Sequence, residues 1–194
     1  MSYADLITEV ADWLARDDLN SAIPSFIKLA EQKFYRELRL RFQETEVVLP
    51  VVDQVAVLPG DFLKVITLLN GDCKLDYVTR YTKSNSLSPT QYSTLNFTLL
   101  VGPNIEEVSL RYYARPPALT AIPPNDTNWV LENAYDLYLY GALQEAEPYI
   151  QADARLPVWK TLFEQAIAQL IASDKKDKLG EGPLVPTMTQ RWTP

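Results

Sequence analysis

The acids are the residues of this chain whose chemistry has to be weighed most carefully. The sequence contains no histidine, the usual proton shuttle near neutral pH and the commonest metal ligand. Serine–histidine and cysteine–histidine catalysis are therefore impossible, and transition-metal sites are disfavoured. The one cysteine, Cys73, lies in a strand-like stretch with no base beside it to activate the thiol. No glycine-rich phosphate loop, zinc-ligand spacing or nucleophile elbow is present, and no cofactor is implied.

Paired acids remain, because two carboxylates suffice for glycoside hydrolysis. Glu44 and Glu46 stand two apart on a predicted strand and share a face, and the expectation there is a solvated sheet face. Glu106–Glu107 follows a turn and belongs on the surface. Glu145 is the more informative acid. At about 100° per residue it falls among Leu131, Ala134, Tyr138 and Gly141, on the apolar side of a predicted helix. A buried carboxylate must be paired or neutral. The expectation is a structural acid held by an arginine such as Arg16 or Arg36, with a general acid of raised pKa as the alternative. Gly141 beside it points to close helix approach, since glycine costs about 1 kcal/mol relative to alanine within a helix.

The elements that must position these groups follow from periodicity. Ser2 and Asp5 have capping-box spacing, and Leu6, Ile7, Val10 and Leu14 then recur with helical period, giving a helix over about 3–15. Pro24 opens a second, over about 24–42. Its apolar stripe is Ile23, Ile27, Ala30, Phe34 and Leu38, and Lys33, Arg36, Arg39 and Arg41 lie on the opposite face. From about 43 to 115 the period changes to two. Asn70–Gly71 predicts a tight hairpin, and Gly102–Pro103–Asn104 predicts another between 95–101 and 105–114. Pro116–Pro117 and Pro123–Pro124 stiffen the connection to a third helix over about 128–147, which Pro148 ends. A fourth runs over about 154–172, with Asp153 as its cap. Residues 174–194 carry no period. The reading is α+β: a single domain, 1–173, with a four-helix core of two N-terminal and two C-terminal helices, a central antiparallel β-insert, and an extended C-terminal tail.

The chain has 194 residues and a net charge of −7, from 18 basic and 25 acidic residues. That length suits one domain, and the acidic balance argues against a dedicated DNA-binding module. Duplex binding through Arg36, Arg39 and Arg41 is the weakest reading. A single cysteine excludes an internal disulfide and suits a reducing compartment. The start is acidic and lacks the apolar core of a signal peptide. No stretch reaches the roughly 20 apolar residues needed to span a bilayer, so synthesis in the cytoplasm without a membrane association is expected.

Several phrases in order carry a family resemblance: Leu14-x-Arg16-Asp17-Asp18-Leu19 with Ile27-Lys28-Leu29-Ala30-Glu31, then Leu58-Pro59-Gly60-Asp61-Phe62-Leu63, then Leu110-Arg111-Tyr112-Tyr113-Ala114-Arg115-Pro116-Pro117. The strongest is Asn128-Trp129 through Leu137-Tyr138-Leu139-Tyr140-Gly141-Ala142-Leu143 and Glu145-Ala146. Together they span most of residues 3–172, and the chain resembles the bacteriophage head-to-tail adaptor (connector, head completion) proteins. The resemblance implies a non-enzymatic virion protein at the neck, made in the bacterial host cytoplasm. Its relatives form a ring, usually twelve-fold, beneath the portal, extend the DNA channel and receive tail or nozzle proteins. DNA would pass without sequence-specific binding.

Between Arg115 and Arg155 there are six acids and no base. Glu132, Asp136 and Glu147 are the expected channel-facing acids, whose field would let DNA slide. Lys33, Arg36, Arg39 and Arg41 are expected to meet a neighbouring subunit. In the tail, Leu179, Leu184, Val185, Met188, Arg191 and Trp192 are the expected portal-docking residues, ordering on a partner surface. The competing reading is a peptidoglycan-degrading glycosidase using Glu145, or Glu44 with Glu46.

Overall fold

The computed structural model describes residues 1–79, 87–150 and 154–179. Helix α1 (Tyr3–Leu14) is started by a capping box: Asp5 N–H donates to Ser2 Oγ (3.3 Å) and Ser2 N–H to Asp5 Oδ2 (2.8 Å). It buries Tyr3, Leu6, Val10 and Leu14 and stops where Ala15 turns left-handed (φ 52°). Helix α2 (Ile23–Glu37) buries Ile23, Phe26, Ile27, Ala30, Glu31, Phe34 and Tyr35. It ends earlier than the charge pattern predicts, because Leu38 is extended and Arg39 Nη1 donates to the carbonyls of Tyr35 and Leu38. The guanidinium thus satisfies carbonyls that the next helical turn would have taken. A 3-10 turn, Arg41–Gln43, leads into the sheets.

Two four-stranded sheets follow, and they correct the expected fold. The eight strands are β1 (Glu44–Pro50), β2 (Val55–Val57), β3 (Phe62–Asn70), β4 (Cys73–Lys74), β5 (Asp76–Tyr77), β6 (Gln91–Leu95), β7 (Thr98–Val101) and β8 (Glu107–Ala114). One sheet has the order β1-β8-β3-β4 and the other β2-β7-β6-β5, with β5 and β6 parallel. Leu49, Leu68, Val108, Leu110 and Tyr112 of the first sheet share one core with Ala56, Tyr92, Leu99 and Val101 of the second. This is a two-sheet body with its own hydrophobic centre, where a central antiparallel β-insert on a four-helix core was expected.

The Asn70–Gly71 turn forms as read, with Gly71 at φ +56° joining β3 to β4. The second expected hairpin does not. Leu95–Val101 is split by a turn at Asn96 (φ 55°), so β7 pairs with β6 and β2, and the chain changes sheets before β8. Gly102 serves that crossing, because a Cβ there would lie 2.2 Å from the carbonyl oxygen of Ser88.

The helical body is also different from the four helices expected. The 128–147 helix is two: α3 (Trp129–Asn133) and α4 (Tyr135–Glu145), broken at Ala134 (φ −144°, ψ 55°). No proline or glycine marks that break. Helix α5 (Leu156–Leu179) runs seven residues beyond 172. The charged 174–179 stretch is helical because its side chains have partners. Asp174 pairs with Lys178 one turn on (3.0 Å), and Asp177 pairs with Arg41 (3.0 Å). Asp153, the expected cap, lies outside the described residues. Helix α4 is central: its buried Leu137, Tyr138, Leu139, Ala142 and Leu143 join α1, α2 and α5 in one core.

Candidate functional site

The polar centre of the helical body is Glu31, which the helical wheel of α2 hides among apolar neighbours. It is 2% exposed. Glu31 Oε1 accepts from the Tyr138 hydroxyl (2.9 Å) and from the Leu119 backbone N–H (3.0 Å). Asn128 caps α3 by accepting from Leu131 N–H (2.9 Å), and its Nδ2 donates to the Tyr138 oxygen (2.8 Å) and the Pro117 carbonyl (3.2 Å). One buried network therefore ties the proline-rich 116–128 connection to α2 and α4. Burial raises the Glu31 pKa against these donors, and burial with Glu31 nearby raises those of Tyr35 and Tyr138 as well. Residue spacing pointed to Glu145 as the buried acid and missed Glu31. The available signal was its place directly after Ala30 on the apolar stripe.

Glu145 is ion-paired, with a different partner from the arginine expected. Lys33 of α2 reaches its Oε1. Arg16 is instead held by Asp18 (2.6 Å), and Arg36 donates to the carbonyl of Gln32 (2.9 Å). Lysine wins because α2 and α4 run in close contact. A Cβ at Gly141 would stand 2.8 Å from that of Ala30 and 3.1 Å from the Phe163 ring. That approach brings Lys33, one turn beyond Ala30, alongside Glu145, one turn beyond Gly141.

The basic residues of α2 and the turn after it are not one continuous face. Lys33 is used by Glu145, Arg39 closes the end of α2, and Arg41 pairs with Asp174 (3.8 Å) and Asp177 (3.0 Å) of α5. Arg36 remains exposed, as do Lys28 and Leu29 earlier on the helix, the last 49% exposed. The expected channel acids Glu132, Asp136 and Glu147 are all exposed, with Glu132 accepting from the Thr127 hydroxyl (3.0 Å).

Glu44 and Glu46 are engaged on the outer sheet face. Arg111 (2.6 Å) and Lys178 (3.5 Å) hold Glu44, and Ser109 donates to Glu46 (2.7 Å). With Lys178 also donating to the Tyr113 hydroxyl (3.1 Å), the end of α5 is stapled across the sheet. Tyr112, on the inner face, donates to Asp61 (3.1 Å); burial first, then that carboxylate, pushes its pKa up to about 12. Cys73 is exposed and free. Among the described residues no cluster of acids or cysteines could hold a metal, and no helix is long and apolar enough to cross a membrane. Of the expected docking residues, Leu184, Val185, Met188, Arg191 and Trp192 lie outside the described residues, and Leu179 is the last residue of α5.

The exposed surface also carries Val57 (70% exposed), Leu95 (57%) and Phe97 (79%), grouped at the β6–β7 turn and the adjoining edge strand β2. Apolar side chains grouped in solvent in this way are the kind of surface that marks interaction sites. The particular class follows from sequence: residues 1–187 match the family described as SU10 adaptor protein. The chain belongs to that family of phage head-to-tail adaptors, which is a structural virion role. No curated protein matches the chain.

Proposed function

We propose that the chain forms a closed ring, twelve-fold, between the portal and the tail, extending the DNA channel and offering the tail its attachment site. The membership of residues 1–187 in the adaptor family is the observation that carries this reading. Within it, the α3–α4 side supplies the channel wall. Glu132, Asp136 and Glu147 are solvent-exposed along a stretch without a single basic residue between Arg115 and Arg155. Such a wall repels the DNA backbone and lets the duplex slide without sequence-specific contact.

Arg36 and Lys28, which α2 leaves exposed, face acids of the next subunit, while Lys33, Arg39 and Arg41 support that surface from within. The β-body, with Phe97, Leu95 and Val57 in solvent, receives tail or nozzle proteins. Residues 180–194 dock on the portal through Leu184, Val185, Met188, Arg191 and Trp192, next to Leu179 at the end of α5. Mixing the protein with its cognate portal and weighing the product by native mass spectrometry tests the reading. A discrete adaptor–portal ring is expected, and separate components at micromolar concentration contradict it.

No structural observation favours the glycosidase reading. Glu145 is ion-paired with Lys33, and Glu44 and Glu46 are bonded to their own sheet.

A further inference from the structure

A groove of about 680 Å³ opens where the two-sheet body meets the helices. That is the size that takes a few side chains, within the ~300–1,000 Å³ of ordinary binding pockets. Its apolar lining is Phe42, Trp129 and the prolines Pro116, Pro117 and Pro124. Phe42 and Trp129 stack at 3.9 Å with 14° between planes. A second hollow, of about 440 Å³, lies on the other side of the same pair, bounded by Leu170, Asp174 and Asp177 of α5. Trp129 remains 38% exposed, although it is the first residue of a helix whose next two residues are fully buried. Two carboxylates border the groove: Glu44, already held by Arg111 and Lys178, and Asp61, whose carboxylate accepts from the Tyr112 hydroxyl.

The position of α5 points to one occupant. Lys178, one residue before the helix ends, bonds to Tyr113 (3.1 Å) and pairs with Glu44 (3.5 Å) on the groove's rim. Residues 180–194 therefore start at the groove. Fifteen residues reach roughly 50 Å when extended, at about 3.3 Å each, far more than such a groove requires. Gly180 and Gly182 permit a helix to stop and the chain to reverse. The residues after them, Leu184, Val185, Met188 and Trp192, suit an aromatic and proline lining, and Arg191 complements Asp61.

We propose that in the unassembled subunit residues 180–194 fold back into this groove of their own chain. Met188 and Trp192 lie against Phe42, Trp129 and the prolines, and Arg191 lies against Asp61. The segment leaves when the portal competes for it, so a free subunit keeps its docking arm covered until the correct partner arrives. The release step rests on the portal reading above, whereas the fold-back does not.

The test uses the full-length, ¹⁵N-labelled protein without portal. Met188→Ala and Trp192→Ala should each move the Trp129 indole signal and the Thr127 and Asn128 amides, leaving the Trp13 and Trp159 indoles in place. Unmoved groove signals overturn the proposal. Trypsin cleavage after Arg191 gives a second readout, since it follows the population of the open arm. Trp129→Ala should accelerate it ~10-fold, and Asp61→Asn, which keeps an oxygen to accept from the Tyr112 hydroxyl, several-fold. Equal rates in all three proteins overturn it. Protection that vanishes on dilution assigns the groove to a second copy's arm and also overturns it. Adding portal should return the groove signals to their arm-free positions. If they stay in place, the portal reading fails and the fold-back stands.

Discussion

The Tyr138 hydroxyl donates to Glu31 across 107 residues of chain, at 2.9 Å, and this bond joins the central helix to α2 in the middle of the helical core. Truncating Glu31 would leave the buried Leu119 N–H without an acceptor and Tyr138 Oη with only the long contact to Tyr35 Oη (3.4 Å). Glu31→Ala should cost about 2–4 kcal/mol in urea unfolding. Glu31→Gln keeps the accepting oxygen and should stay within about 1 kcal/mol of wild type.

The same residue sets a pH dependence with a definite sign. Burial raises the folded-state pKa of Glu31 above its ordinary value of 4.5. The folded protein therefore binds the proton more tightly than the unfolded chain. That stabilisation is complete below the ordinary value and is lost as pH rises through the folded value. Glu31→Gln has no such loss, so its stability relative to wild type should improve between pH 4.5 and 7. Parallel stability curves for the two proteins over that range would contradict the assignment.

Gly141→Ala sets two effects against each other. Alanine gains about 1 kcal/mol of helix propensity. Its methyl, however, would meet Ala30 at 2.8 Å and Phe163 at 3.1 Å, and Ala30 has no rotamer with which to yield. Overpacking of about 1–3 kcal/mol should win, lowering Tm by several degrees. Ala30→Gly in the same chain should recover part of the loss, because it removes the atom in conflict.

The Lys33–Glu145 pair is half in solvent, with side-chain exposures of 37% and 15%. A double-mutant cycle with Lys33→Met and Glu145→Gln should give a coupling near 1 kcal/mol that shrinks as salt is raised. Zero coupling at low salt would remove Glu145 from the structural account.

Much of the helical body was legible in the sequence. Ser2 and Asp5 announced the start of α1, and Gly141 announced the close approach of α4. Adaptor membership could be read from ordered phrases such as Leu137 to Leu143. Four features were not legible, each for a physical reason. The break at Ala134 has no local breaker, because tertiary packing sets it. The change of sheet after Val101 depends on which strands pair, and period-two alternation is the same for either sheet. Glu31 was hidden because a carboxylate on an apolar stripe is recognised as buried only when its donors, here 88 and 107 residues away, are known. The extension of α5 to Leu179 was masked by its charge, which is matched by Arg41 and by Glu44 through Lys178.

If Glu132, Asp136 and Glu147 line the channel, reversing them should make the assembled ring hold DNA. A Glu132→Lys, Asp136→Lys, Glu147→Lys ring should retain duplex at low salt and release it with a steep salt dependence, while the wild-type ring retains none. A triple variant as indifferent to DNA as wild type would place the three acids away from the lumen.

The central claim is that this chain bridges portal and tail as a ring held on the portal by its C-terminal segment. Electron cryomicroscopy of the full-length protein mixed with its cognate portal tests it most directly. The account predicts a closed ring of adaptor subunits stacked on the portal, with density for residues 180–194 against portal subunits and Glu132, Asp136 and Glu147 toward the axis. Portal particles without adaptor density, or a ring whose residues 180–194 make no portal contact, would contradict it.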